Sequence, residues 1–544
     1  MDREGERTAA DWQPPLRALI GIAVVGLALR LALAWQKADT LLVFCLPDDA
    51  YYYFQIARNA VSGHGISFDG VSPTNGFHPL WFAMLLPIFA ALPGAEELPI
   101  HLSLTLGALL DGCTAVLIGM LAYRLIGRRD WAAIFAALYA LNPYAVHASI
   151  NGLETAVSLL MIAVFVYQYI RIRDMAEVRT RDLAWLAVCG GLLLAARTDN
   201  IFLWGLVGLA LISALPANRK AAFVGLYAAG AAVVLAPWLI WNMVTFGTIM
   251  QVSGVAVPYM VKQVVLVKLG ATSGTSPVLL KTLVKWTLAN WKGALAMAMP
   301  PVIVVPLLFF CLGACSCGWD ERRRERHRWL LARIWPVVVA AALLVAYHVL
   351  GRWYEHLREW YSASTIPAGL LLLAAIVAML RELKGGGWLR SWPRYVAVPL
   401  VILVVLGLGY KSQKIMRWAR YPWQDSYKQA ALWLNDNTKP EARVGAFNAG
   451  IVGYYCDRTV FNLDGAVNNE IYSYILSHRI GQFVRDRDIE YVVDHPYEYT
   501  EGKKLLFWGD APLPVVDGKE VHRIDNSDTG YDDIAIFRMP GSDG

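Results

Sequence analysis

Charge is what this chain has least of. Asp, Glu, Lys and Arg make up 17% of its 544 residues while 57% are hydrophobic; a soluble domain carries about 25% charged residues. Together with a mean hydropathy of +0.42 and recurrent apolar runs of roughly 20 residues, this excludes an ordinary soluble enzyme. Strict alternation of apolar and polar residues is also missing, which excludes a closed membrane β-barrel. Cysteine is scarce: there are seven, mostly inside apolar runs. In "CLGACSC", Cys311, Cys315 and Cys317 have no His or acidic partners and no paired-Cys spacing, so no metal site is expected there. The first apolar run, Leu16–Trp35, is too long for a signal core and lacks a small-residue cleavage site, so it reads as an anchor. The net charge of +6 sits mostly in short loops, and nothing suggests nucleic acid.

What is present is a series of membrane-length segments: 16–36, 100–123, 131–150, 154–172, 182–196, 201–215, 221–243, 294–317, 329–350, 360–380 and 394–411. Basic residues collect in cytoplasmic loops. With the N-terminus inside, the inner loops are "RLIGRRD", "RIRDMAEVRTRD", "PANRK", "DERRRERHR" and "RELKGGGWLRSWPR", all basic. The run His78–Leu92 would make about 22 Å of helix against a hydrocarbon core of about 30 Å, so it is read as interfacial. The expectation is a polytopic α-helical membrane protein of about eleven spans plus interfacial helices. It divides into a membrane domain, 1–411, whose first outer loop is 37–99, and a soluble α/β domain, 412–544, outside. In the latter, "RVGAFNA", "TVFNLDG" and "IEYVVDH" alternate with helical patterns, which implies a small parallel sheet. "GAFNAG" has too few glycines for a dinucleotide-binding turn.

This threading brings four polar groups to the outer face: Asp48–His78, "NGLET" (Asn151–Thr155), "ARTDN" (Ala196–Asn200) and "GRWYEHLREWY" (Gly351–Tyr361). Charge at membrane depth is costly and marks function. Asp48 and Asp49 follow the first span directly. One of them suits a helix N-terminus, with Ala50, Phe54, Ala57 and Val61 forming the apolar stripe of an interfacial helix. Two together suit a carboxylate that accepts a proton from an acceptor hydroxyl, its partner holding a divalent cation (Mg, Mn or Ca) with Glu154. Glu154 alternatively caps the next helix.

His64, between two glycines, and Asn75 and His78 in "PTNGFHP" are candidate substrate contacts or plain loop residues. Arg197 and Asp199 form a local ion pair, or Arg197 grips a phosphate. Arg358 offers a phosphate fork beside Trp360 and Tyr361. Tyr51, Tyr52 and Tyr53 are flat surfaces for sugar rings. The loop from Thr245 to Lys292 holds Lys281, Lys285 and three more lysines and no acid, which suits an anionic headgroup or bulk anionic lipid.

In "PDDAYYYFQIARN" after the first span, "TNGFHPLW", "NGLET" and "HLREWY", the chain resembles the GT-C membrane glycosyltransferases. These include protein O-mannosyltransferases, lipid A aminoarabinose transferases and oligosaccharyltransferase catalytic subunits. The resemblance implies transfer of a sugar from a polyprenyl-phosphate donor to a glycan, lipid or protein acceptor, at the outer face and with inversion. It maps the essential carboxylate onto Asp48 in the mannosyltransferase-like pattern or Asp49 in the oligosaccharyltransferase-like one, and a metal-branch acid onto Glu154. This chain has Asp-Asp where mannosyltransferase-like members have Asp-Glu, and a single acid in "NGLET". The competing readings are a lipid-linked-glycan flippase, which would tend to show paired halves and broken midplane helices, and a non-catalytic glycan-binding scaffold.

Overall fold

Apolar segments of membrane length have to satisfy their backbone internally, and they do so here as helices. The computed structural model describes residues 13–271, 274, 276–298, 321–380, 406, 410, 420–500, 505–527 and 530–540. In chain order the helices are α1 (Leu16–Ala34), α2 (Ala38–Phe44), α3 (Asp48–Val61), α4 (Pro79–Ala91), α5 (Leu98–Ile126), α6 (Arg129–Ala140), α7 (Pro143–Ser149), α8 (Thr155–Arg173), α9 (Thr180–Ala196), α10 (Ile201–Ala214), α11 (Ala217–Phe246), α12 (Ala256–Lys268) and α13 (Pro277–Ala298). Further helices span Glu321–Ala346, Glu359–Ser362 and Thr365–Leu380.

Among the described residues six helices, of 19 to 30 residues, are long and apolar enough to cross a bilayer. This is a multi-pass membrane protein. Most of the expected spans 394–411 and 294–317, with Cys311, Cys315 and Cys317, lies outside the described residues. Helix α4, at 13 residues, is about 20 Å long, too short to span. The expected span 131–150 is two helices: Asn142 interrupts it, its Oδ1 accepting the Tyr144 and Ala145 N–H groups to start α7. An Asn followed by Pro143 favours a new start over a continued helix.

Helices α1, α5, α6 and α7 are stapled by one buried ion pair. Arg30 Nη2 lies 2.6 Å from Asp111 Oδ2, with side chains 1% and 0% exposed. Its other donors reach Ser149 Oγ and the Gly26 and Ala140 carbonyls, while the Tyr139 hydroxyl donates to Asp111 Oδ1 at 2.6 Å. A buried charge left single is strongly destabilising, whereas an apolar pair of similar volume is often tolerated. Asp111→Leu is therefore expected to cost about 3–5 kcal/mol, and the double variant Arg30→Met/Asp111→Leu to recover most of it, both read from thermal unfolding of the purified protein.

The C-terminal region folds as a five-stranded sheet. The strands are β1 (Arg443–Ala446), β2 (Thr459–Asn462), β3 (Tyr491–Asp494), β4 (Lys519–Ile524) and β5 (Ile534–Arg538), in the order β2-β1-β3-β5-β4. The first three are parallel as expected, but β5 and β4 run antiparallel, so the sheet is mixed. The unforeseen partner is the closing hairpin, whose strands complete the edge beside β3. Helix 424–437 starts at Trp423, with Asp425 in its first turn, where an acid suits the helix dipole. Helix 449–455 follows β1.

Helix α3 departs from the single-stripe expectation. Ala50, Tyr51, Tyr52, Tyr53, Phe54, Ile56 and Ala57 are all buried, while Val61 is exposed. The C-terminal domain covers the tyrosine side: Tyr51 packs edge-on to Tyr454, and Arg58 lies 3.7 Å over the Tyr454 ring while donating to its carbonyl.

Candidate functional site

The two aspartates in the first turn of α3 point to different partners. Asp48 accepts the Ile451 N–H at 2.8 Å and the Gly450 N–H at 3.1 Å, so its carboxylate caps the helix 449–455 of the C-terminal domain. Gly450 has no room for a Cβ against the Asp48 carbonyl. Burial pushes the Asp48 carboxyl up to about 7, the two amides working against that and the Asp49 charge with it.

Asp49 has no hydrogen-bond or ion-pair partner among the described residues and keeps solvent-accessible surface between the buried Pro47 and Ala50. Its side chain is thus exposed between buried neighbours. Burial raises its carboxyl to about 6; the Arg358 guanidinium opposes this, and the Asp464 and Glu154 carboxylates reinforce it.

A second network stands beside Asp49. Glu154, 4% exposed, follows Gly152, whose φ of +75° makes the tight turn that sets α8 on its way. Glu154 Oε1 pairs with Arg197 at 2.5 Å and Oε2 accepts the Tyr53 hydroxyl at 2.9 Å. Arg197 also forks onto Asp199, Nε to Oδ1 at 3.1 Å and Nη2 to Oδ2 at 2.7 Å. His348, in the irregular turn Tyr347–Gly351, reaches Asp199 Oδ2 at 3.2 Å. Burial disfavours a charged Arg197, yet its two carboxylates outweigh that and hold it cationic. His78 lies 3.7 Å from Glu154, but burial lowers its pKa, so it stands neutral at pH 7.

Several expected contacts are corrected by this geometry. Arg197 commits three of its five N–H groups to two carboxylates, which fixes it as part of the wall of the site. Tyr52 is a tie to the C-terminal domain: its hydroxyl meets the Ala449 N–H, Asn462 Nδ2 and the Phe447 carbonyl. Asn75 is fully buried and joins segments, accepting from Asn469 Nδ2 and the Val252 N–H and donating to Asn242 and the Met250 carbonyl. His64 is exposed on its loop. Trp360 is packed in the core. Lys281 and Lys285 lie on the exposed face of α13, whose Leu279 and Leu283 turn inward against Val265. Both Glu154 oxygens are already taken, and among the described residues no three His, Cys, Asp or Glu side chains are placed to share an ion. The Asp49–Glu154 pair does not fit a cation in this arrangement, and no step below is routed through one.

Tyr361 remains at the site, its ring 4.6 Å from His348 and 5.5 Å below the Arg197 guanidinium. The reading from sequence had Tyr53 only as a sugar-stacking ring and missed His348, Arg352 and Tyr354. Arg352 donates to the Tyr347 hydroxyl at 3.1 Å and acts electrostatically on His78 and Tyr361. Its only signal was membership of the polar run 351–361. Asp464 was also missed, read as part of a strand.

With this geometry in place, the chain was compared with known proteins. A crystal structure of the Archaeoglobus fulgidus oligosaccharyltransferase with Zn and sulfate superposes with a TM-score of 0.53 at 14% identity, over 94% of this chain and 72% of that one. The same archaeal enzyme, AglB, with an inhibitory peptide and a dolichol-phosphate gives 0.50 at 14%, over 92% and 72%. ArnT from Cupriavidus metallidurans bound to undecaprenyl phosphate gives 0.52 at 14%, over 96% and 98%. The chain shares its fold with these membrane proteins. Residues 414–537 match a family model described as a domain of unknown function (DUF8728). No curated protein matches the sequence.

The docking of the membrane domain to the C-terminal domain is testable at one atom. Gly450→Ala is expected to cost about 1–3 kcal/mol by forcing Asp48 and helix 449–455 apart, and calorimetry should show a lowered transition. Gly225→Ala, which has open space around it, should melt like the wild type.

Proposed function

We propose that this protein transfers a sugar from a polyprenyl-phosphate donor to an acceptor hydroxyl at the outer face of the membrane, inverting the anomeric carbon, as a glycosyltransferase of the EC 2.4 class. The observation that carries the reading is Asp49: an exposed carboxylate beside the Glu154–Arg197–Asp199 network, without a hydrogen-bonding partner among the described residues, raised to about 6. A general base works best with a pKa near the working pH. The shared fold and the carrier phosphates named for ArnT and the archaeal enzyme support the choice of donor.

In this mechanism the acceptor O–H gives its proton to Asp49 as its oxygen bonds the anomeric carbon. The bond from that carbon to the phosphate oxygen breaks on the opposite side, and the electron pair leaves with the polyprenyl phosphate. Arg358, whose charge already acts on Asp49, and Arg352 are the cations that steady the departing charge. Glu154, Arg197 and Asp199 hold the wall in place, and Tyr361 offers a flat face for a sugar. Asp48 keeps the C-terminal domain seated over the site, so that domain helps select a glycan, lipid or protein acceptor. The basic loops support a reading with the N-terminus in the cytoplasm and the C-terminal domain outside the cytoplasmic membrane.

Asp49→Asn is expected to lower turnover by about 10²–10⁴-fold, measured as carrier-phosphate release from a panel of polyprenyl-phosphate sugars. Asp48→Asn should lose far less and should loosen the tail instead. In the wild type, turnover should fall as the pH drops through about 6, where Asp49 gains its proton. Equal loss in both variants, or wild-type turnover in Asp49→Asn, contradicts the assignment.

A further inference from the structure

The Arg358 side chain is exposed and lies 6.0 Å from the Trp360 ring, while the backbone on both sides of it is held. Ahead of it, Asn290 of α13 donates from Nδ2 to the Glu355 carbonyl at 2.8 Å and accepts the Leu357 N–H on Oδ1 at 2.9 Å. One side-chain amide thereby pairs with the loop as the main chain of a neighbouring strand would. The same Nδ2 donates to the Trp286 carbonyl, one turn back in α13, at 3.0 Å, so three partners fix which way the amide points. Behind Arg358, Glu359 pairs with Arg420 at 2.8 Å and with His147 at 3.4 Å. Helix α13 is anchored in turn: its Met297 carbonyl accepts Asn142 Nδ2 at 3.0 Å and its Ala294 carbonyl the Thr365 hydroxyl at 3.4 Å. Earlier in the loop Trp353, at φ +59°, packs on the apolar contact between α12 and α13 formed by Val265, Leu279 and Leu283. A non-glycine residue keeps that backbone only where its surroundings hold it there.

We propose that Asn290 is a positioning residue for the donor site: it holds the Glu355–Leu357 backbone so that Arg358 is already placed when the carrier phosphate arrives. The inference rests on the reading of Arg358 as a cation that meets that phosphate. The segment from Arg352 to Arg358 belongs to no helix or strand. Its main-chain groups need partners from elsewhere, and Asn290 supplies two of them. Ordering such a loop and its long arginine side chain only on binding would cost affinity. A clamp formed beforehand removes the backbone share of that cost. It acts from a helix that carries none of the residues proposed to touch the donor. Helix α13 itself gains little from this residue, since Asn is among the weaker helix formers; the reach across to the loop is what Asn290 adds.

The test uses the full chain in detergent micelles, with undecaprenyl phosphate as the probe and native mass spectrometry to measure how much of it binds across a titration. Arg358→Gln is expected to weaken binding about tenfold, the loss of one charge-assisted contact. Asn290→Leu keeps the volume and removes both hydrogen-bonding groups; it is expected to weaken binding about threefold to tenfold. The double variant should bind no worse than Arg358→Gln alone, because two residues that act through one group do not add. A defect that merely loosens the fold would add in full. Asn290→Ala takes the place of the Leu variant should that fail to fold. Hydrogen exchange at the Leu357 amide should quicken in either Asn290 variant. Thr282→Val, on the same helix, removes a hydroxyl that donates back to the Val278 carbonyl and should bind like the wild type. Additive losses in the double variant, wild-type affinity in Asn290→Leu, or an equal loss in Thr282→Val overturns the positioning role. Unchanged binding in Arg358→Gln overturns the reading of Arg358 instead, while exchange at Leu357 still reports whether Asn290 holds the loop.

Discussion

Two neighbouring carboxylates in a low-dielectric pocket repel each other and lose hydration, and each needs a separate solution. Asp48 is compensated by two backbone amides that come from another domain, some four hundred residues later in the chain. Asp49 receives no such compensation. It stays exposed, with only the Arg358 charge favouring its charged form. One residue is spent on assembly and the other is left reactive, and the split follows from which of them the C-terminal domain can reach.

The surroundings repeat the same logic of charge satisfied at short range. Glu154, Arg197, Asp199 and His348 form one connected chain across three segments, and it commits three of the Arg197 N–H groups to carboxylates. The Arg30–Asp111 pair does likewise inside the helical bundle. Cations that remain available at the site, Arg352 and Arg358, sit on the loop between two long helices, where they are positioned without being neutralised. A leaving phosphate meets charge there that no carboxylate has claimed in an ion pair among the described residues.

Much of this architecture was readable in advance, and some was not. The helices α1, α5, α8 and α11 announce themselves because length and hydropathy are local properties. The break at Asn142 was signalled by Asn-Pro yet hidden within an apolar run, and the antiparallel hairpin β4–β5 lay beyond the last pattern that suggested a strand. Among site residues, Asp49, Glu154 and Arg358 were visible as charge next to membrane segments. Asn75 and Tyr52 were visible too, but as ligand contacts, because their real partners (Asn469, Val252, Ala449 and Asn462) are distant in sequence. Asp464 carried no local signal at all.

Composition and pattern were enough to dictate a multi-pass helical bundle with polar residues gathered at helix ends, since the cost of placing charge in hydrocarbon depends on each segment alone. Which of those polar residues are free was decided only when the chain closed on itself. A carboxylate is reactive or structural according to the donors within about 3 Å of it, and at Asp48, Glu154 and Arg197 those donors and acceptors arrive from other parts of the fold.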